Sequence, residues 1–318
     1  MKSGIAALWG ALLVLVCASA QAGQQTAVDW LQNQIAVDGH FENQAGLATD
    51  FQAASAAFRA LADQADPAEL EAALAFLRTQ GYDSTENLSR KIIAGRLQGE
   101  SVSTLVAELA GRQNPDGGFG ELVGYNSTIL DTAWALKALD AAHEPDATVT
   151  GMAVQYILDH QQSDGGWLGT GGNGSLYVSA MATNAIWHLR HVYNLTDSIN
   201  AAVQHLLAER NGTDLWSEPF VSAAALIAVA PALVDSTKIS DSVSQLAGLQ
   251  LSDGSWDDDV FTTALALRAL QAVQRGDPDL GIIRGRIIDG DYGYPVAGVH
   301  IAATGPESLS ATTDEQGN

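Results

Sequence analysis

The sequence predicts an all-α fold, an (α/α)6 toroid of six helix pairs. Three observations carry that prediction. A Gln-x3-Gly-x-aromatic spacing recurs along the chain. Apolar residues flank each copy at helical intervals. The helices come in two alternating kinds, one amphipathic and one apolar almost all round.

The spacing is clearest at Gln161, Gly165 and Trp167, in the stretch AVQYILDHQQSDGGW (residues 153–167). Val154, Ile157 and Leu158 stand at i, i+3 and i+4, one face of a helix. The Asp-Gly-Gly that follows reads as a turn, because glycine adopts the left-handed backbone that often ends a helix. Gln113, Gly117 and Phe119 repeat the pattern, and so do Gln250, Gly254 and Trp256. Ile35, Gly39 and Phe41 keep the interval without the glutamine, as do Arg210, Asp214 and Trp216. A period of roughly 40–50 residues marks a repeat architecture.

In chain order, the pairs are predicted at 26–37 with 49–62, 68–79 with 86–97, 102–112 with 129–141, 149–160 with 178–192, 199–210 with 221–230, and 240–251 with 261–274. In the second pair Gly81-Tyr82-Asp83 replaces the aromatic turn. First members mix charged and apolar residues, as a one-sided surface helix must. Second members read FVSAAALIAVAPAL, TTALALRAL or TAWALKAL. Helices of that kind are buried on both sides. The economical arrangement is two concentric rings, polar-backed helices outside and alanine-rich apolar helices inside. The inner spokes are therefore expected to give an apolar lining.

The toroid is assigned to residues 23–275. Residues 1–22 read as a signal peptide: Lys2, an apolar run from Ile5 to Val16, and a small-residue site at Ala20-Gln21-Ala22. The expected location is secreted or periplasmic, with no membrane span after cleavage. The one cysteine, Cys17, lies in that segment, so the cleaved chain would hold neither disulfide nor thiol. Residues 276–318 read as a linker and an incomplete β-domain, where Ile283 and Ile287, then Ala297, Val299 and Ile301, alternate with other residues.

The formal charge is −22, from 15 basic and 37 acidic residues. That excess repels nucleic acid and anionic membranes. The densest carboxylate run, Asp257-Asp258-Asp259, lacks EF-hand spacing and reads as a solvated turn. His188 and His191 are spaced for one helix face but have no evident third ligand, so no metal site is assigned. No cofactor motif is present.

The Gln-x3-Gly-x-Trp copies with Asp-Gly-Gly turns resemble the terpenoid cyclase and protein prenyltransferase α/α-toroid superfamily, over about residues 26–274. That resemblance implies that Gln113, Gln161 and Gln250 tie the end of an outer helix to its neighbour, with Phe119, Trp167 and Trp256 stacked alongside. The tail from Gly281 resembles the opening of a carboxypeptidase-regulatory-like β-sandwich.

The resemblance also tests the chemistry. Squalene–hopene cyclases donate a proton from the middle Asp of an Asp-x-Asp-Asp-Thr-Ala motif. The corresponding stretch here is Thr128-Ile129-Leu130-Asp131-Thr132-Ala133, and leucine donates no proton. The prenyltransferase zinc cysteine and the thioester cysteine of complement-type members are also missing. Asp131 is the remaining candidate acid. Tyr125, Asp131, Trp134, Tyr177 and Trp187 are the candidate ligand-binding residues. Met181 and Thr262 occupy the counterparts of Asp131 in two other repeats, so the repeat itself does not require the carboxylate.

Three functions remain open. The leading one is a secreted, non-catalytic toroid that binds an apolar small molecule or an extracellular protein. The second is a terpenoid-cyclase-like or prenyl-processing enzyme. The third is a carrier of a corrinoid or another small molecule. An aromatic-lined cavity favours the second and third, and a ring plugged by its own side chains favours the first.

Overall fold

The computed structural model describes residues 23–41, 47–62, 64, 67–142, 147–190, 192–233, 236–275, 298–303 and 309–312. The expected signal peptide, His191 and most of the expected β-domain lie outside these residues. The chain divides into two compact units, Met1–Gly276 and Asp277–Asn318.

Among the described residues, the first unit holds twelve α-helices. The outer set is α1 (23–33), α3 (Pro67–Thr79), α5 (Ser103–Ala110), α7 (Ala147–Asp159), α9 (Thr196–Ala208) and α11 (Ser240–Gly248). The inner set is α2 (Asp50–Leu61), α4 (Thr85–Leu97), α6 (Ile129–Ala142), α8 (Leu176–Leu189), α10 (Pro219–Val229) and α12 (Val260–Arg275). Each inner helix packs on the inner helices before and after it, and α12 packs back on α2. The inner ring is therefore closed, as the six-pair reading predicts.

Composition explains the two layers. Every residue of α10 from Val221 to Val229 is buried, and four of those nine are alanine. Small side chains let the inner helices approach closely, while each fully buried Leu or Ile contributes about 1.5–3 kcal/mol. The inner helices also start on strong caps. Thr49 and Gln52 form a capping box on α2, and Ser84 and Ser175 accept from the third residues of α4 and α8. Pro219 opens α10, where its missing N–H is no loss.

The repeated motif joins the layers. Gln113 Nε2 donates to the carbonyls of Gly117 (2.9 Å) and Val149 (2.8 Å), the latter on α7. Gln161 Nε2 donates to Gly165 (2.9 Å) and to Ser198 on α9 (3.0 Å). Gln250 Nε2 donates to Gly254 (2.9 Å) and to the carbonyl of Gly23 at the start of α1 (2.7 Å). The last of these links residues 227 apart in sequence and closes the outer ring. The indole N–H groups of Trp167 and Trp256 donate to the carbonyls of Ile157 (2.8 Å) and Leu246 (2.7 Å) on the preceding helices.

The weaker copies use substitutes. Arg210 replaces the glutamine and donates to the Lys238 carbonyl (2.8 Å). At the Gly81-Tyr82-Asp83 turn, Arg112 donates to the carbonyls of Asp83 (2.7 Å) and Tyr82 (3.1 Å).

The carboxylate run differs from expectation. Asp257 and Asp258 are exposed, in left-handed backbone at φ 58° and 52°. Asp259 is instead buried, and its Oδ1 accepts from Thr262 N–H at 2.6 Å. It caps α12, and the free backbone donors of a helix start reward a buried carboxylate there. A solvated turn describes the first two aspartates only.

In the second unit, β1 (His300–Ala303) pairs antiparallel with β2 (Leu309–Thr312), His300 opposite Thr312. Among the described residues these are the strands of the unit, and the rest of the β-sandwich that the tail resembles lies outside them.

Candidate functional site

The inner helices run parallel, so the ring has one mouth at their N-termini and another at their C-termini. The site residues expected from sequence divide among three spaces.

The N-terminal mouth holds a cavity of about 590 Å³ lined by Tyr125, Asp131, Leu130, Glu86 and Glu121, among others. Asp131 is fixed by local sequence. Its backbone N–H donates to Thr128 Oγ1 (3.0 Å), whose hydroxyl donates to Asp131 Oδ2 (2.6 Å). Asp131 is only 8% exposed. Burial pushes its carboxyl up to about 6; the Thr128 hydrogen bond opposes the rise, and Glu86 and Glu121 add to it. Leu130 lines this cavity and a neighbouring one of about 500 Å³.

The centre of the ring is a void of only about 20 Å³, lined in part by Trp134 and Tyr177. Arg90 fills it, with its guanidinium 4.0 Å from the centre of the Trp134 ring and 2.7 Å from Glu86. Burial pushes the Tyr177 hydroxyl up to about 12. One deep aromatic cavity is thus replaced by a plug.

The C-terminal mouth holds a cavity of about 630 Å³, where Trp187 lies. Its polar lining includes Arg59, Lys137, Arg190 and Arg268. Arg190 stacks on Trp187 at 3.7 Å. Lys137 Nζ donates to Asn184 Oδ1 (2.5 Å). Burial first, then Arg59, Arg268 and Arg90, holds the Lys137 ammonium well below the ordinary lysine range. Burial and the cations Lys137, Arg59, Arg190 and Arg268 bring His188 down to about 4, so it is neutral at pH 7.

These cations overturn the expected apolar lining. Close packing of alanine and serine leaves room for long side chains only along the axis, and there the stems of Lys and Arg run among apolar groups while their heads seek a mouth. The signal was one cation in each of several apolar helices. Lys137 and Arg268 stand nine residues beyond their caps, Thr128 and Asp259.

Spacing also missed the partner of each repeat aromatic. The backbone N–H groups of Phe119, Trp167, Trp216 and Trp256 donate to Thr132 (2.9 Å), Ser179 (2.9 Å), Ser222 (3.0 Å) and Thr263 (2.9 Å). This register corrects one counterpart of Asp131. The residue before Ser179 is Val178, not Met181, while Thr262 stands as expected.

Among the described residues, no group of three or more His, Cys, Asp or Glu is placed to hold a metal ion. No described helix is long and apolar enough to cross a membrane.

No family model matches the chain. A drimenyl diphosphate synthase from Streptomyces showdoensis is 33% identical over 144 residues, which cover 40% of this chain and 27% of that protein. The chain thus spans about a quarter of that relative. Among solved structures, the type II terpene cyclase MstE from Scytonema superposes with a TM-score of 0.65 at 16% identity, covering 81% of this chain and 98% of that one. A variant of the same cyclase was solved with geranylgeranyl dihydroxybenzoate bound. An ent-copalyl diphosphate synthase from Streptomyces platensis superposes at 0.54 with 15% identity, covering 73% and 51%. An α-1,6-mannanase from Salegentibacter superposes at 0.63 with 11% identity, covering 81% and 100%. The fold is therefore a terpenoid-cyclase-like α/α toroid. Its occurrence in a mannanase shows that the ring alone does not fix the chemistry.

Proposed function

We propose that the ring is a terpenoid-cyclase-like domain that takes an isoprenoid at its N-terminal mouth, with Asp131 as the acid. The observation that carries this reading is the Asp131 carboxyl itself. It opens an inner helix, retains the last three residues of the cyclase motif, lines a cavity of ligand size, and keeps a proton to unusually high pH. The plugged centre of the ring favours the non-catalytic binder, but the cyclase-like relatives weigh more heavily on the other side, and the cyclase-like reading leads.

Electrostatics support this mouth over the rest of the ring. Protonating an alkene creates a carbocation. Glu121 would stabilise that charge, Glu86 being already paired with Arg90, whereas Arg59, Lys137 and Arg268 would oppose it at the other end. One observation favours a second reading, a domain that holds an isoprenoid without converting it. Leu130 stands where the cyclase motif places its donor, and it lines both N-terminal cavities.

Gas chromatography with mass detection after incubation with farnesyl and geranylgeranyl diphosphate separates the readings. Cyclised product from the wild type, reduced at least about 100-fold by Asp131→Asn, is expected. Equal product from both proteins would remove Asp131 from the chemistry. Binding without product would establish the second reading.

A further inference from the structure

The C-terminal mouth combines features that the cyclase-like reading does not use. Arg59, Lys137 and Arg268 line both its cavity and the central void, so they form its floor. Arg190 and Trp187 line the outer cavity alone and form its rim. One carboxylate, Asp140, faces these four cations. Neither Arg59 nor Lys137 forms an ion pair among the described residues. The nearby Arg90 is answered by Glu86, so the imbalance belongs to the mouth.

Cations gathered in a partly buried space repel one another and lose hydration. Arrays of fixed cations in a cleft attract and hold anions. Several charges of one sign match a ligand carrying more than one negative charge. Guanidinium groups pair with phosphate oxygens two at a time, and an ammonium adds a point charge. A volume of about 630 Å³ accommodates such a group with space beside it. The remaining wall mixes apolar groups such as Ile93 and Ile227 with the polar Asn184, His188 and Gln271.

We propose that the C-terminal mouth binds a phosphate or diphosphate group, with Arg59, Lys137 and Arg268 as its floor and Arg190 at its rim. The site is separate from Asp131, and the plug between the mouths keeps it so. It stands whether or not the chain converts an isoprenoid. The group has two possible sources, a free inorganic anion and the head of an isoprenoid diphosphate.

Calorimetric titration and thermal shift with inorganic pyrophosphate test the site. Pyrophosphate is expected to bind the wild type, raise its Tm, and bind more weakly as salt rises. Arg59→Gln and Lys137→Met are each expected to weaken binding at least about tenfold. Asp140→Asn is expected to tighten it, an effect that a poorly folded variant cannot mimic. No shift at millimolar pyrophosphate, or a shift that none of the three substitutions alters, would overturn the proposal. Farnesyl diphosphate and farnesol identify the source. Tighter binding of the diphosphate than of pyrophosphate, with the same sensitivity to Arg59→Gln, supports the site and assigns the isoprenoid. Equal binding supports it and assigns the free anion. Farnesol bound while both phosphorylated probes fail would refute this site and leave the N-terminal reading standing.

Discussion

Asp131 shows how much one residue owes to neighbours distant in sequence. Its place at the head of a helix is legible from Thr128 through Ala133. Its raised titration is not, because burial and the charges of Glu86 and Glu121 come from other segments. The shift has a defined consequence for stability. The ordinary value is 3.8 and the folded value about 6, so the folded chain holds this proton more tightly than the unfolded chain. The residue's contribution is then most favourable below pH 4 and is lost as pH rises to about 6. Asparagine at this position has no charge to bury. Asp131→Asn should match the wild type near pH 4 and exceed its unfolding free energy by about 1–3 kcal/mol at pH 7. Urea denaturation of both proteins across that range measures the difference, and a constant offset would contradict the assignment. The Leu130 side chain offers no such handle. Its importance lies in where it stands.

At the scale of elements, the repeat motif is a joint between an outer helix, a turn and the next repeat. The turn was legible because glycine suits its left-handed backbone best, with Asp214 in that place in one copy at φ 60°. Gly165 has φ 92°, and a Cβ there would lie 2.3 Å from the Ala201 carbonyl oxygen on α9. Gly165→Ala should therefore destabilise the ring by about 2 kcal/mol or more, from left-handed strain and displacement of α9. Gln161→Ala, which removes three hydrogen bonds, should lose about 1–2 kcal/mol. Thermal unfolding of the two variants checks the order, and a neutral Gly165→Ala would contradict the close approach. The serine and threonine partners of the aromatics were not legible. Thr132 follows Phe119 by 13 residues, but Ser222 follows Trp216 by only 6, because the intervening loops differ in length. A fixed-spacing pattern cannot find a contact whose spacing varies. Asp259 escaped for a related reason: three adjacent aspartates look alike in sequence, and only helix geometry singles out the one that caps.

For the whole molecule, ring closure was legible and the axis was not. Six outer helices alternating with six inner ones, most of them apolar almost all round, leave few arrangements, and the bond from Gln250 to Gly23 completes the one predicted. Gln271 Nε2, donating to the Ala60 carbonyl at 3.2 Å, joins α12 to α2 on the inner side. Periodicity assigns each side chain to a face of its own helix. It does not reveal that Arg59, Lys137 and Arg268 meet on one axis, since that requires closure first. The closed ring thereby acquires two chemically opposed mouths, one lined by carboxyls and the other by cations.

The cyclase-like assignment is tested most directly at Asp131, by measuring conversion of geranylgeranyl diphosphate in the wild type and in Asp131→Asn. If Asp131 supplies the proton, the wild type should form cyclised product and the variant at least about 100-fold less. A correctly folded Asp131→Asn protein that forms as much product as the wild type would contradict the assignment.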